Sequence, residues 1–173
     1  MNAIFLDRDG VVNRKAPEGK YVTRVTGFEV LPGALEAIAA LSRNGYEVFV
    51  VTNQRGLALG QVSRSDLREI HARMLDRVRQ AGGKIRQIYV CPHDTIDRCA
   101  CRKPQPGLLL QAQREHGIDL RASWMIGDTA SDIVAGSRAG CRTAFIGAPH
   151  LQVAADLRAS SLREVVGHLL RQL

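Results

Sequence analysis

Short apolar runs alternate along this chain with segments whose apolar residues recur every three to four positions. The runs Ala3–Leu6, Glu47–Val51, Gln87–Val90, Ser123–Ile126 and Arg142–Ile146 have the length and content of buried strands. Between them, Gly33–Arg43, Ser65–Gln80, Gly107–Glu115, Ser131–Arg138 and Ser161–Leu170 have the periodicity of amphipathic helices. Strands that are apolar throughout and separated by helices predict an α/β fold with a doubly wound, Rossmann-like parallel sheet. Leu67, Ile70, Met74, Leu75 and Val78 form an apolar stripe at helical spacing and are expected in the core. Arg64, Arg68, Arg73, Arg77 and Arg79 on the same segment read as its solvated face. Punctuation agrees with this division. Pro32 suits a first helical turn, Ser161 and Glu164 have capping-box spacing, and Gly45, Gly82, Gly83 and Gly140 stand where helices should stop.

One stretch departs from the alternation. Asn13 to Val30 is too long and polar for a plain connection, and reads as a flap over whatever lies at the end of the first strand. No repeat, low-complexity tract or linker divides the chain, so its 173 residues are expected to form a single domain.

Composition narrows the partners. The +7 formal charge suits a small anionic ligand, but aromatic residues are only 5% and are not interleaved with the basic ones as nucleic-acid stacking requires. No nucleic-acid partner is therefore expected. Arg8 and Arg14 interrupt the apolar N-terminal region, and neither a membrane span nor a secretory signal is discernible. The cytoplasm and a monomer are the expectation.

The chemistry gathers where strands end. The first stops on Asp7-Arg8-Asp9-Gly10, the second on Thr52-Asn53-Gln54, and the fourth on Gly127-Asp128 with Asp132 one helical turn later. Two cations, Arg102 and Lys103, precede a helix opened by Pro104. In a parallel sheet the strand C-termini share one edge, where ligands bind at the switch point, so Asp7, Thr52 and Asp128 should converge with Lys103. Paired carboxylates closing a core strand call for a compensating cation, and hard oxygen donors suit Mg²⁺. A carboxylate nucleophile, a metal, a cation and a second acid are the parts of phosphoryl transfer.

The cysteines add a second metal reading. Cys91, His93, Cys99 and Cys101 fall in one loop as C-P-H-x₅-C-x-C, a Cys₃His set suited to closed, tetrahedral structural Zn²⁺ that would pin the loop carrying Arg102 and Lys103. Buried free thiols or a disulfide are the other readings of these residues. Cys141 stands apart as an inert buried thiol. The other histidines, His71, His116, His150 and His168, show no partner and read as surface or packing residues.

D-x-D-G, T-N-Q, the later lysine and G-D-x-x-x-D, in this order from Ala3 to Ile146, resemble the haloacid dehalogenase superfamily of phosphatases. The resemblance implies Asp7 as nucleophile and Mg²⁺ ligand, and Asp9 as general acid and base whose carbonyl also binds the metal. Thr52 and Lys103 would hold the phosphoryl oxygens, and Asp128 would complete the Mg²⁺ site with Asp132 behind it. C-P-H…C-x-C-R-K-P is similar to the heptose-bisphosphate phosphatase group, whose substrate is D-glycero-D-manno-heptose 1,7-bisphosphate on the way to lipopolysaccharide and related glycans. That likeness implies hydrolysis of the 7-phosphate, with the β anomer favoured and Arg102 on the distal phosphate. Asn53, Gln54, Arg55, Thr129 and the flap's Tyr21 are further candidate substrate contacts. Thr129 stands where that group often has lysine, and Arg55 where a small residue is common. The five residues between His93 and Cys99 are similar instead to histidinol-phosphate phosphatases, the rival substrate assignment. A non-catalytic phospho-acceptor domain and a nucleic-acid end phosphatase are the other classes.

Overall fold

The computed structural model describes residues 1–171. Six strands form one all-parallel sheet: β1 (Ala3–Leu6), β2 (Glu47–Asn53), β3 (Gln87–Cys91), β4 (Trp124–Gly127), β5 (Arg142–Ile146) and β6 (Leu157–Ala159). Their order is β3-β2-β1-β4-β5-β6, so the winding reverses between β1 and β4. The register pairs Phe5 with both Phe49 and Met125.

Alternation along each strand sends side chains to two apolar layers. Ile4, Leu6, Val48 and Val50 pack with residues of α1 (Ala34–Arg43), α3 (Arg64–Gln80) and α6 (Leu162–Leu170). Ala3, Phe5, Phe49 and Val51 pack on the opposite face with α4 (Gly107–His116) and α5 (Ala130–Ala139). The sheet is thereby covered on both faces, as its apolar strands require. A short helix, α2 (Arg55–Ala58), follows β2. No helix among the described residues is long and apolar enough to cross a membrane.

Several local expectations are corrected. Pro32 lies outside α1, whose N-cap is Gly33 at φ 78°. Leu75 is exposed, because the buried stripe of α3 runs Leu67, Ile70, Met74, Val78 and Leu75 lies off it. Ser161 Oγ caps α6 by accepting from Glu164 N (3.2 Å), but the Glu164 carboxylate accepts from Ser160 N (2.7 Å), so the reciprocal bond falls one residue early. β2 and β3 run on to Asn53 and Cys91, carrying the polar strand ends into the ladder itself. β6 and α2 had no periodic signal, being three and four residues long.

The segment from Asn13 to Val30 leaves β1 and returns. It is closed at its base by a bridge between those two residues and by Arg14 N donating to Glu29 O (2.7 Å). A single 3₁₀ turn, Val25–Gly27, interrupts it.

Candidate active site

The C-terminal ends of β1, β2 and β4, with the loop before α4, build one site. β1 ends at Leu6, but Asp7 N still donates to Ile126 O of β4 (2.9 Å), which fixes Asp7 at the switch point. Asp128 follows β4, and Asp132 projects back from the first turn of α5. Carboxylate oxygens of Asp7, Asp128 and Asp132 lie within 4.8 Å of one another. Gly10, at φ 92°, lets the chain pass this cluster; a Cβ there would sit 2.2 Å from Asp128 Oδ2.

Lys103 compensates this charge from inside the protein. It is only 3% exposed, and its Nζ lies 2.8 Å from Asp7 Oδ1 and 2.6 Å from Asp132 Oδ1 while donating to Val51 O (2.8 Å). Burial opposes its charge, yet Asp132 and Asp7 together raise its proton affinity. Burial, reinforced by Asp132 and opposed by Lys103, raises the Asp7 pKa to about 7. Burial likewise raises that of Asp128, against the pull of Lys15. Asn53 holds the lysine's backbone from both sides, Oδ1 accepting from Lys103 N and Nδ2 donating to Lys103 O, each at 3.0 Å.

Asp9 faces another set of groups. Its Oδ1 accepts from Arg8 Nη2 and Asn13 Nδ2, both at 2.9 Å, and its Oδ2 from Gln54 Nε2 at 3.0 Å. Burial would raise its pKa, but Arg8 and these hydrogen bonds outweigh it and hold the carboxyl below the usual range. Thr52 is buried at the end of β2, its hydroxyl accepting from the same Gln54 Nε2 (2.8 Å).

A cavity of about 320 Å³ opens over Asp7, Asp9, Lys103 and Asp132, and the flap supplies its far wall with Lys15, Lys20 and Tyr21. Arg102, Asn53, Gln54 and Thr129 also line it, whereas Thr52 and Arg55 do not. Arg55 turns instead to Asp94, Nε to Oδ1 at 2.5 Å. Thr129 caps α5, its hydroxyl and amide both donating to Asp132 Oδ2 at 2.7 and 3.0 Å.

Beside the cavity, Cys91 at the end of β3 meets His93, Cys99 and Cys101, whose donor atoms share one 4.8 Å cluster. Sulfur–sulfur distances of 3.2 to 3.6 Å exclude a disulfide among them. They approach the edge of a tetrahedron with metal–sulfur bonds of about 2.3 Å. Arg102 Nη1 donates to His93 O (3.3 Å), tying this loop to the cavity wall.

Four residues that matter here were invisible as site residues in the sequence. Arg8, 0% exposed, pairs with Asp9, and Asn13, also buried, grips the same carboxylate. Lys15 reaches Asp128 Oδ2 at 2.9 Å from the flap. His71, expected without a partner, stands 3.1 Å from Arg8 Nη1. Two other histidines are corrected in the same way: His116 Nε2 meets Gln87 Oε1 (3.0 Å) and His168 Nδ1 meets Arg171 (3.1 Å).

Several known proteins are similar to this chain. The HAD-hydrolase-like family model matches residues 100–163. A D-glycero-beta-D-manno-heptose-1,7-bisphosphate 7-phosphatase of Pseudomonas aeruginosa is 38% identical over 143 residues, 83% of this chain and 79% of that protein. A D-glycero-alpha-D-manno-heptose-1,7-bisphosphate 7-phosphatase of Mycobacterium bovis is 38% identical over 174 residues, 95% of this chain and 91% of its own. The crystal structure of a D,D-heptose 1,7-bisphosphate phosphatase from B. bronchiseptica, complexed with magnesium and phosphate, superposes with a TM-score of 0.91 at 34% identity, covering all of both chains.

Proposed function

The chain belongs to the heptose-1,7-bisphosphate 7-phosphatase family of HAD-like hydrolases, and on that premise we propose that it removes the 7-phosphate of D-glycero-D-manno-heptose 1,7-bisphosphate. The observation that carries this reading is the convergence of Asp7, Asp132 and Lys103 under one cavity with a cationic rim, with Asp128 completing the carboxylate cluster beside it.

Asp7 is the nucleophile. Its carboxylate oxygen attacks phosphorus, the bond from phosphorus to the sugar oxygen breaks, and Asp9 gives that oxygen a proton. Asp9, now ionised, takes a proton from water, whose oxygen attacks the aspartyl phosphate and frees phosphate and Asp7. Lys103 Nζ, already on Asp7 Oδ1, lies where it can balance charge on the transferring oxygens. Thr52 supports this indirectly by orienting Gln54 against Asp9. Arg102, with Lys20 and Tyr21 on the flap, lines the cavity and would meet the distal phosphate and the sugar.

Asp7, Asp128 and the Asp9 carbonyl would hold Mg²⁺, with Asp132 supporting from α5. The donor set fits: hard oxygens, and a buried Asp128 Oδ1 with no hydrogen-bond partner among the described residues. When bound, Mg²⁺ supplies positive charge beside the transferring phosphoryl group. Cys91, His93, Cys99 and Cys101 would hold Zn²⁺ as a closed structural site, and thiolates kept for zinc suit the reducing cytoplasm.

A substrate panel tests the assignment. Turnover of α- and β-heptose 1,7-bisphosphate, each with Mg²⁺, should exceed that of histidinol phosphate by at least about 100-fold in kcat/KM, since a second phosphate anchors only the former. Faster turnover of histidinol phosphate would overturn it. The ratio of the two heptose arms reads the anomer.

A further inference from the structure

Among the described residues Arg8 is one of the largest fully buried side chains, a cation with 0% exposure standing between the two aspartates of the opening motif. A buried guanidinium needs partners, and this one has two among the described side chains. Nη2 donates to Asp9 Oδ1 at 2.9 Å, and Nη1 lies 3.1 Å from Nε2 of His71, 63 residues away on α3. Nε has no partner. The aim of the guanidinium is therefore set by two contacts, one of which is the carboxylate itself. The other is the histidine.

Arginine can only donate, so Nε2 of His71 accepts, which requires the neutral ring with its proton on Nδ1. Burial and the neighbouring Arg8 charge favour that form, lowering the His71 pKa to about 4. We propose that His71 is a positioning residue for the proton-transfer step: by accepting from Arg8 it holds the guanidinium square to Asp9 and so fixes where the Asp9 carboxylate points. This rests on the reading of Asp9 as the general acid. Asn13 and Gln54 supply the other two donors to that carboxylate, so loss of His71 loosens one of three restraints and does not release Asp9 altogether.

The consequence depends on the leaving group. A sugar alkoxide needs the proton from Asp9, whereas an aryl oxide departs largely without it. His71→Leu, which fills the space but cannot accept, should lower kcat for heptose bisphosphate about ten-fold, a part of the ~10²–10⁴ that a general acid contributes. KM should stay within about two-fold, and the pre-steady-state burst of p-nitrophenol from p-nitrophenyl phosphate within about three-fold, because neither binding nor aryl-oxide departure needs the acid, and the burst precedes the aspartyl-phosphate hydrolysis that both substrates share. His71→Gln carries an amide oxygen to the reach of Nε2 and should restore most of kcat. His71→Asn is too short to do so and should resemble Leu; it serves if the Leu variant does not fold. Equal losses in heptose-bisphosphate kcat and in the p-nitrophenol burst, an unchanged kcat in folded His71→Leu or His71→Asn, or no recovery in His71→Gln would overturn the proposal. Asp9→Asn is run beside them. If it slows the p-nitrophenol burst as much as heptose-bisphosphate turnover, the acid reading itself fails and this proposal with it. If it selectively slows the sugar phosphate while the His71 variants do not, only the positioning role is lost.

Discussion

Lys103 offers the sharpest test of how the site is held together, because it joins two buried carboxylates from within the protein. Lys103→Met keeps the length and apolar stem of the side chain and deletes only the charge. Asp7 and Asp132 then face each other without a cation, and removing one partner of a buried ion pair costs ~3–5 kcal/mol. With a urea dependence of about 2 kcal/mol per molar, the midpoint should fall by roughly 1.5–2.5 M at pH 8 in buffer without added divalent cation. The effect should depend on pH in a definite direction. The folded pKa of Asp7, about 7, stands above its ordinary 3.8, so the folded protein keeps a proton that the unfolded chain releases in between. The stability this confers is fully present below pH 3.8 and is lost as pH rises through 7. At pH 5 the variant therefore faces a neutral Asp7, and its deficit should shrink by at least about half. Activity reads the same group independently: kcat should fall about 10²–10³-fold, as when one donor to a transition-state oxygen is lost. A deficit of the same size at pH 5 and pH 8, or one below about 1 kcal/mol at both, would refute the electrostatic account of Lys103.

Three further outcomes follow from the geometry. Metal analysis should find about one zinc per chain, and Cys101→Ser should lose it and lower Tm by ~5–10 °C; zinc-free protein with an unchanged Tm would exclude the site. Lys15→Met frees Asp128 Oδ2 from a half-exposed ion pair, so calorimetry should show Mg²⁺ binding tightened by about two- to five-fold, and weakened binding would show that Lys15 supports the metal site instead of competing with it. Gly10→Ala places a Cβ against Asp128 at a residue with φ 92°, and should cost ~1–3 kcal/mol and most of kcat; wild-type turnover would mean that the turn relaxes freely.

The sheet and its chemical edge were legible in the sequence because one physical fact produces both. An apolar run that is buried on two faces must be a strand, and polar residues that end it must lie at the rim of the sheet. Asp7, Asn53 and Asp128 therefore declared themselves as residues and as positions together. What escaped has the opposite character. β6 is three residues at an edge, too short for a period to show. Asp132 could be placed one turn after Asp128, but not that its oxygen would lie 2.6 Å from Lys103, since that depends on how α5 packs.

Arg8 is the instructive case. Between two aspartates, an arginine reads as a charge that water will satisfy, and no local pattern says otherwise. Its burial is offset by the Asp9 carboxylate at Nη2 and by His71 of α3 at Nη1, the latter a contact across 63 residues. The same reasoning explains why Asp9 stays ionised in a site where Asp7 is pushed toward its protonated form. Two carboxylates two residues apart, Asp7 buried and Asp9 partly exposed, have their proton affinities moved in opposite directions: Arg8, Asn13 and Gln54 lower one, and burial with Asp132 outweighs Lys103 to raise the other. On the proposed reading, Asp9 must gain a proton before it can serve the leaving oxygen. Arrival of a phosphorylated substrate brings negative charge to the cavity above it, which raises the proton affinity of any carboxylate nearby. On the proposed reading of Asp9 as the acid, the restraint from Arg8 would set how much of that rise is needed before Asp9 can donate its proton.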